Sequence, residues 1–142
     1  MKNKYLLILF AAVLTLNSCK KDSVEKNSDR LNGTWNLESV ADVQYENGVE
    51  VDRDANSDLN LNWEFRNDGT ATVNVDGGDV EVTWSTTETV LSLVAASEGK
   101  SRVDFNIKSL SKNDMHLEYI NYDEAENGVS YRSVREYKLR KK

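Results

Sequence analysis

Few side chains in this chain of 142 residues can do chemistry. There is one histidine, His116, and one cysteine, Cys19. His116 alternates out of phase with Met115 and Leu117, so it should point to solvent, and a Ser-His-Asp triad or zinc site has nothing else to build on. Glu64, Glu81 and Glu118 stand on the polar faces of separate runs, whereas a glycosidase needs two carboxyl groups about 5 to 9.5 Å apart in one cleft. Asp52, Asp54, Asn56 and Asp58 alternate behind Glu50 and offer the oxygen ligands that calcium takes. The sixth position counted from Asp52 lacks the required glycine, and the twelfth is Trp63 rather than glutamate. A solvated acidic loop is the simpler role for these residues. No catalysis, metal or other cofactor is expected.

Arg135 raises a different question. It shares parity with the apolar face of the last strand, and a cation there must be paired or solvated. It could clamp a ligand carboxylate with two parallel hydrogen bonds, with Tyr131 and Tyr137 beside it. It could equally serve the protein itself, against an aromatic ring or backbone carbonyls.

Cys19 closes a cassette made of Lys2 and Lys4, an apolar run from Tyr5 to Leu16, and Leu16-Asn17-Ser18-Cys19. A basic start, a short apolar core and small residues before a cut describe a secretory leader. The run is short of the ~20 residues that span a bilayer. With cysteine at the cut, the segment resembles a bacterial lipobox. That resemblance implies cleavage before Cys19, acylation of the new N-terminus and attachment to a membrane by lipid. Residues 1–18 are then a signal peptide, 19–31 an anchor site and flexible tether, and 32–142 the folded domain. Lys20, in place of the aspartate of inner-membrane retention signals, is similar to the pattern of outer-membrane lipoproteins. The expected location is the cell envelope, with the periplasmic or outer face left open.

Without Lys2 and Lys4, 16 lysines and arginines face 24 acids, a net charge of −8. Nucleic-acid binders need a basic footprint, so that class is excluded. The same balance offers no basic face to anionic lipid. The lone cysteine rules out an internal disulfide, leaving packing to stabilise about 110 residues, enough for one domain.

The positioning elements are strands. Trp35, Leu37, Ser39, Ala41, Val43 and Tyr45 share one face of the first run. Period-two runs follow around Leu61–Phe65, Ala71–Val75, Val80–Trp84, Leu91–Leu93, Val103–Ile107, Met115–Tyr119 and Val129–Leu139. Asn47-Gly48, Asp68-Gly69, Gly77-Gly78, Glu98-Gly99, Asn113-Asp114 and Asn127-Gly128 punctuate them with turn chemistry. The fold class is therefore all-β, an up-and-down antiparallel β-barrel of about eight strands. Closure removes exposed edges. A sandwich competes, but it usually needs long crossovers that these tight hairpins do not supply.

Gly33-Thr34-Trp35 at the head of the first strand, Trp63-Glu64-Phe65-Arg66-Asn67-Asp68-Gly69-Thr70, and the closing stretch Tyr131 to Leu139 together resemble the lipocalin-like domain of small lipid-anchored proteins of the Bacteroidota type. The resemblance spans about residues 31 to 140 and implies a small barrel, often with an apolar pocket. It also implies a barrel floor in which Trp35, preceded by Gly33, packs against an arginine of the last strand, either Arg135 or Arg140. A register in which Trp35 faces Leu139, Ser39 faces Arg135 and Ala41 faces Ser133 is the expectation.

Trp63, Phe65, Trp84, Phe105 and Tyr119 could line a pocket with Arg135, Tyr131 and Tyr137, or simply fill the barrel. Eight strands give room for either, with a small pocket at most. The expected activity is non-catalytic binding of a small apolar or amphipathic molecule, with the membrane as partner through lipid on Cys19 and no protein partner specified. The alternative is a packed-barrel interaction or envelope-structural module, for example an inhibitor-like lipoprotein, with no small ligand.

Overall fold

The computed structural model describes residues 27–75, 77–96 and 101–142. Cys19, the leader and the first part of the expected tether lie outside them. Eight antiparallel strands close into a barrel in the order β1-β2-β3-β4-β5-β6-β7-β8. They are β1 (Gly33–Glu46), β2 (Val49–Phe65), β3 (Thr70–Val75), β4 (Gly78–Thr86), β5 (Val90–Ala95), β6 (Arg102–Leu110), β7 (Asp114–Glu126) and β8 (Val129–Lys141). The meander expected from the alternation is what forms. Its hairpins use the expected turn residues: Asn47 and Gly48, and Asn127 and Gly128, all have positive φ, as two-residue primed turns demand.

The ladders shift register at several points, among them Ile107/Ser109 and Ile120/Tyr122, and two departures from simple alternation shape the cavity. The first is a bulge in β1. Leu37 pairs with Leu139 and Ser39 with Lys138, so β1 gains one residue on β8 at Glu38. An extra residue reverses the side-chain parity beyond it. Trp35 and Leu37 face the core, but farther on it is Val40 and Asp42 that face inward, and Ala41 and Val43 form a separate outer cluster with Val134 and Tyr45. The single-faced run from Trp35 to Tyr45 is thus two half-runs on opposite faces. The expected register is corrected with it: Trp35 pairs with Lys141, Ala41 with Glu136 and Asp42 with Arg135.

The second departure is β2. Residues 50–58 were expected as an acidic loop, yet they are strand throughout. They pair with β1, whereas β2 meets β3 only at Glu64↔Thr72 and Phe65↔Ala71. Where that ladder stops, the Trp63 indole N–H donates to the Asn74 carbonyl at 3.1 Å and ties the two strands.

The folded unit also begins earlier than expected. Residues 27–31 form a helical turn under the barrel, not the end of a tether. Leu31 is fully buried. Asn27 donates to the Thr87 and Glu88 carbonyls, Arg30 to Leu110 O, and Lys141 Nζ to Arg30 O. These bonds clamp the turn to the β4–β5 and β6–β7 connections and to the end of β8. The stretch from Asn27 to Lys142 therefore holds a closed barrel, its own core and its floor, which is what a domain needs to fold alone.

Candidate functional site

The floor forms first in the chain. Trp35 is fully buried, and its indole N–H donates to Leu31 O at 2.7 Å. The cation over its ring is Lys141, with Nζ 5.2 Å from the ring centroid. It is neither of the arginines expected there. Arg140 points away, to Glu38 at 3.0 Å and Asp114 at 3.5 Å, because its parity on β8 is opposite to that of Lys141 and Leu139. Arg135 lies six residues up the strand. Gly33 does belong to the floor: its φ is +116°, and a Cβ there would meet Lys141 Cε at 3.0 Å.

Above the floor the barrel is hollow. A cavity of about 590 Å³ lies inside it, reaching Gly77, Ala95 and Ser101 at the end opposite the helical turn. This exceeds the small pocket expected, and it falls within the ~300–1,000 Å³ typical of small-molecule sites. The aromatic residues do not plug the barrel because they stack against one another. Trp63 meets Phe65, Phe105 and Tyr137 with centroids 5.6 to 6.4 Å apart, and Phe65 meets Trp84 edge-on at 5.6 Å. Such edge-to-face and tilted pairs form a compact aromatic wall.

Of the eight side chains expected at a ligand, Arg135, Tyr137, Trp63 and Phe105 line the cavity. Phe65, Trp84, Tyr119 and Tyr131 do not. Phe65 is buried behind Trp63, and the Trp84 indole donates to Arg66 O and Thr70 O at the base of the β2–β3 hairpin. Tyr119 stacks on Phe105. Tyr131 stands beyond the rim, 37% exposed. Apolar residues from β1, β2, β4 and β5 complete the wall, among them Leu37, Val40, Leu59, Leu61, Val82 and Leu93.

Arg135 is the polar centre, and its partner was missed. Its Nε and Nη2 donate to the two carboxylate oxygens of Asp42 at 2.8 and 2.9 Å. That bidentate bond holds the Asp42 carboxyl below the usual aspartate range, and Asp42 in turn keeps the guanidinium charged. The roles weighed for Arg135, a ligand carboxylate or a structural contact with an aromatic ring or backbone carbonyls, did not include this ion pair. Plain alternation put Asp42 on the solvent face; only the bulge at Glu38 brings it in.

Asp54 and Asn56 also line the cavity. They cannot cage calcium with Asp52 as a loop would, because alternate residues of a strand sit about 6.5 Å apart and stay parallel. Among the described residues no group of three or more acidic, histidine or cysteine side chains could hold a metal. His116 lies on the outer face, partly buried, with Nε2 3.8 Å from Glu136. Glu64 and Glu81 both pair with Arg66, while Glu118 on β7 is held by Arg132 and Lys108 of the neighbouring strands β8 and β6. These carboxylates share no cleft.

A closed eight-strand antiparallel meander around an apolar-walled cavity is the architecture of small-molecule-binding barrels. The profile of the lipocalin-like domain matches residues 31–117, and the chain belongs to that family. No curated protein and no solved structure matches it in the corresponding searches.

Proposed function

We propose that this protein is a lipid-anchored envelope lipoprotein whose barrel binds a small apolar or amphipathic molecule without catalysis. The observation that carries the reading is the apolar-walled cavity of about 590 Å³. A packed-barrel interaction module would have no use for such a space, which costs the fold dispersion contacts. The polar groups on the wall are the Asp42–Arg135 ion pair, the Asp54 carboxylate, the Asn56 and Asn74 amides and the Ser101 and Tyr137 hydroxyls, a set suited to holding a ligand head.

The anchoring half rests on the Lys2 to Cys19 cassette and on the place where the chain enters the barrel. The clamped turn at 27–31 lies under the floor, at the end opposite Gly77 and Ser101. Lipid on Cys19 would then leave the open end facing away from the bilayer. The outer membrane is the proposed destination. In cells, Cys19→Ser should move the protein from the membrane fraction to the soluble fraction; retention at the membrane would refute the anchor.

Native mass spectrometry of residues 20–142 incubated with an envelope extract tests binding. A discrete small-molecule adduct, lost on unfolding, is the expected result. A clean apo mass under gentle conditions would overturn ligand binding.

A further inference from the structure

We propose that the cavity selects amphipathic cations, with an ammonium-type head on an apolar body, over the fatty-acid-like carboxylates that an arginine on the cavity wall first suggests. The proposal rests on the ligand-binding reading above and names the ligand class for the same cavity.

Its basis is one row of side chains. Across β7, β8, β1 and β2 the register sets Tyr119 beside Arg135, Arg135 beside Asp42, and Asp42 beside Asp54. Arg135, Asp42 and Asp54 all line the cavity. Arg135 has committed its fork to Asp42 at 2.8 and 2.9 Å. A ligand carboxylate could take that edge of the guanidinium only by evicting Asp42, which would then face Asp54 uncompensated. Bound at the remaining Nη1 edge, it would meet a guanidinium already neutralised by Asp42 and a wall that is net negative. Like charges directly opposite in an antiparallel pair repel.

Asp54 makes no ion pair among the described residues, and its neighbour across the ladder is another carboxylate. Arg135 is the one cation among the described residues that line the cavity, so two acids and one base leave this wall with one negative charge. An ammonium seated between Asp42 and Asp54 would give both carboxylates an opposite charge. The amide of Asn56, next along the same face, adds an acceptor. Val40 and Leu61 on the same strands carry the apolar body. The row is solvent-accessible, with Asp42 and Arg135 side chains 46% and 42% exposed, so the head would bind partly hydrated.

Calorimetric titration of residues 20–142 with dodecylamine, dodecanol and dodecanoate, at neutral pH, low salt and below micelle formation, tests this. The amine should bind about five-fold tighter than the alcohol, as a partly exposed ion pair allows, and the carboxylate should bind weakest. Asp54→Asn should bring the amine down to the alcohol without shifting the thermal midpoint. If that variant does not fold, salt provides the second test: added salt should erase the advantage of the amine and leave the alcohol unchanged. Dodecanoate binding as tightly as the amine would overturn the cation preference while leaving ligand binding intact. Failure of all three chains to bind would overturn ligand binding itself, and the preference with it.

Discussion

Lys141 and Trp35 face each other across the β1–β8 ladder, and the ammonium lies over the indole while donating to Arg30 O. The two residues contribute unequally. Burial, reinforced by Lys112, holds the Lys141 pKa below that of a free lysine, and this desolvation offsets part of the gain from the ring. Lys141→Met should therefore cost about 1 kcal/mol or less. Trp35→Phe should cost more, about 1–3 kcal/mol, because it leaves the Leu31 carbonyl buried without its donor. Urea midpoints of the two variants check the order.

Gly33 joins the same pair from the backbone side. Its φ of +116° is disfavoured for any residue with a Cβ, and that Cβ would press on Lys141 Cε at 3.0 Å. Gly33→Ala should lose about 1–3 kcal/mol. Pairing it with Lys141→Ala should recover the steric part alone. A full recovery in the double-mutant cycle would mean that the backbone conformation carries no strain.

The hollow interior predicts an unusual tolerance. Enlarging a residue in a packed core usually costs about 1–3 kcal/mol. Val82 is buried but borders the cavity, so Val82→Phe has room to grow inward. It should hold the thermal midpoint or raise it while weakening dodecylamine uptake at least ten-fold. A destabilised variant that still takes up ligand would place the space elsewhere.

The strand order was legible because period-two alternation and turn residues are local signals. Each expected run became a strand, in the expected order of neighbours. The register was not legible, because two tertiary features set it. Lys141 is drawn under the barrel by Trp35 and Arg30 O, which slides β8 two residues from the expected pairing. The bulge at Glu38 then reverses parity, and no feature of Leu37-Glu38-Ser39 announces it. Asp42 therefore read as a solvent residue although it completes the cavity wall. Residues 50–58 read as a loop because they are polar on both faces. They are strand because β1 offers a ladder, which turns Asp54 and Asn56 toward the cavity. Trp63 and Phe105 were found from alternation alone, since the irregularities of β2 and β6 fall just outside Leu61–Phe65 and Val103–Ile107.

The outer wall gives the last test. His116 sits on β7 with Glu118 two residues along the same face, opposite Lys138 and near Glu136 of β8, and Lys108 approaches from β6. Burial is the main influence and holds its pKa below histidine's usual 6.5; Lys138 and Lys108 push the same way, while Glu136 and Glu118 oppose them. The unfolded chain therefore takes up this proton first as pH falls. Stability depends on pH through the difference in bound protons, so it should fall as pH drops from 6.5 toward the lower folded value and show no histidine contribution above 7. His116→Gln should remove that step. A second step lies lower: Asp42, depressed below 3.8 chiefly by its hydrogen bond from Arg135, contributes stability that is present above 3.8 and lost as pH falls through its folded pKa. Asp68, Glu81 and Asp104, also held down by hydrogen bonds, share this acid window, so Asp42→Asn should shrink the lower step and leave the upper one. Urea unfolding of the three proteins from pH 8 to 3 separates the windows. A wild-type curve that is flat between pH 7 and 5 would contradict a desolvated His116.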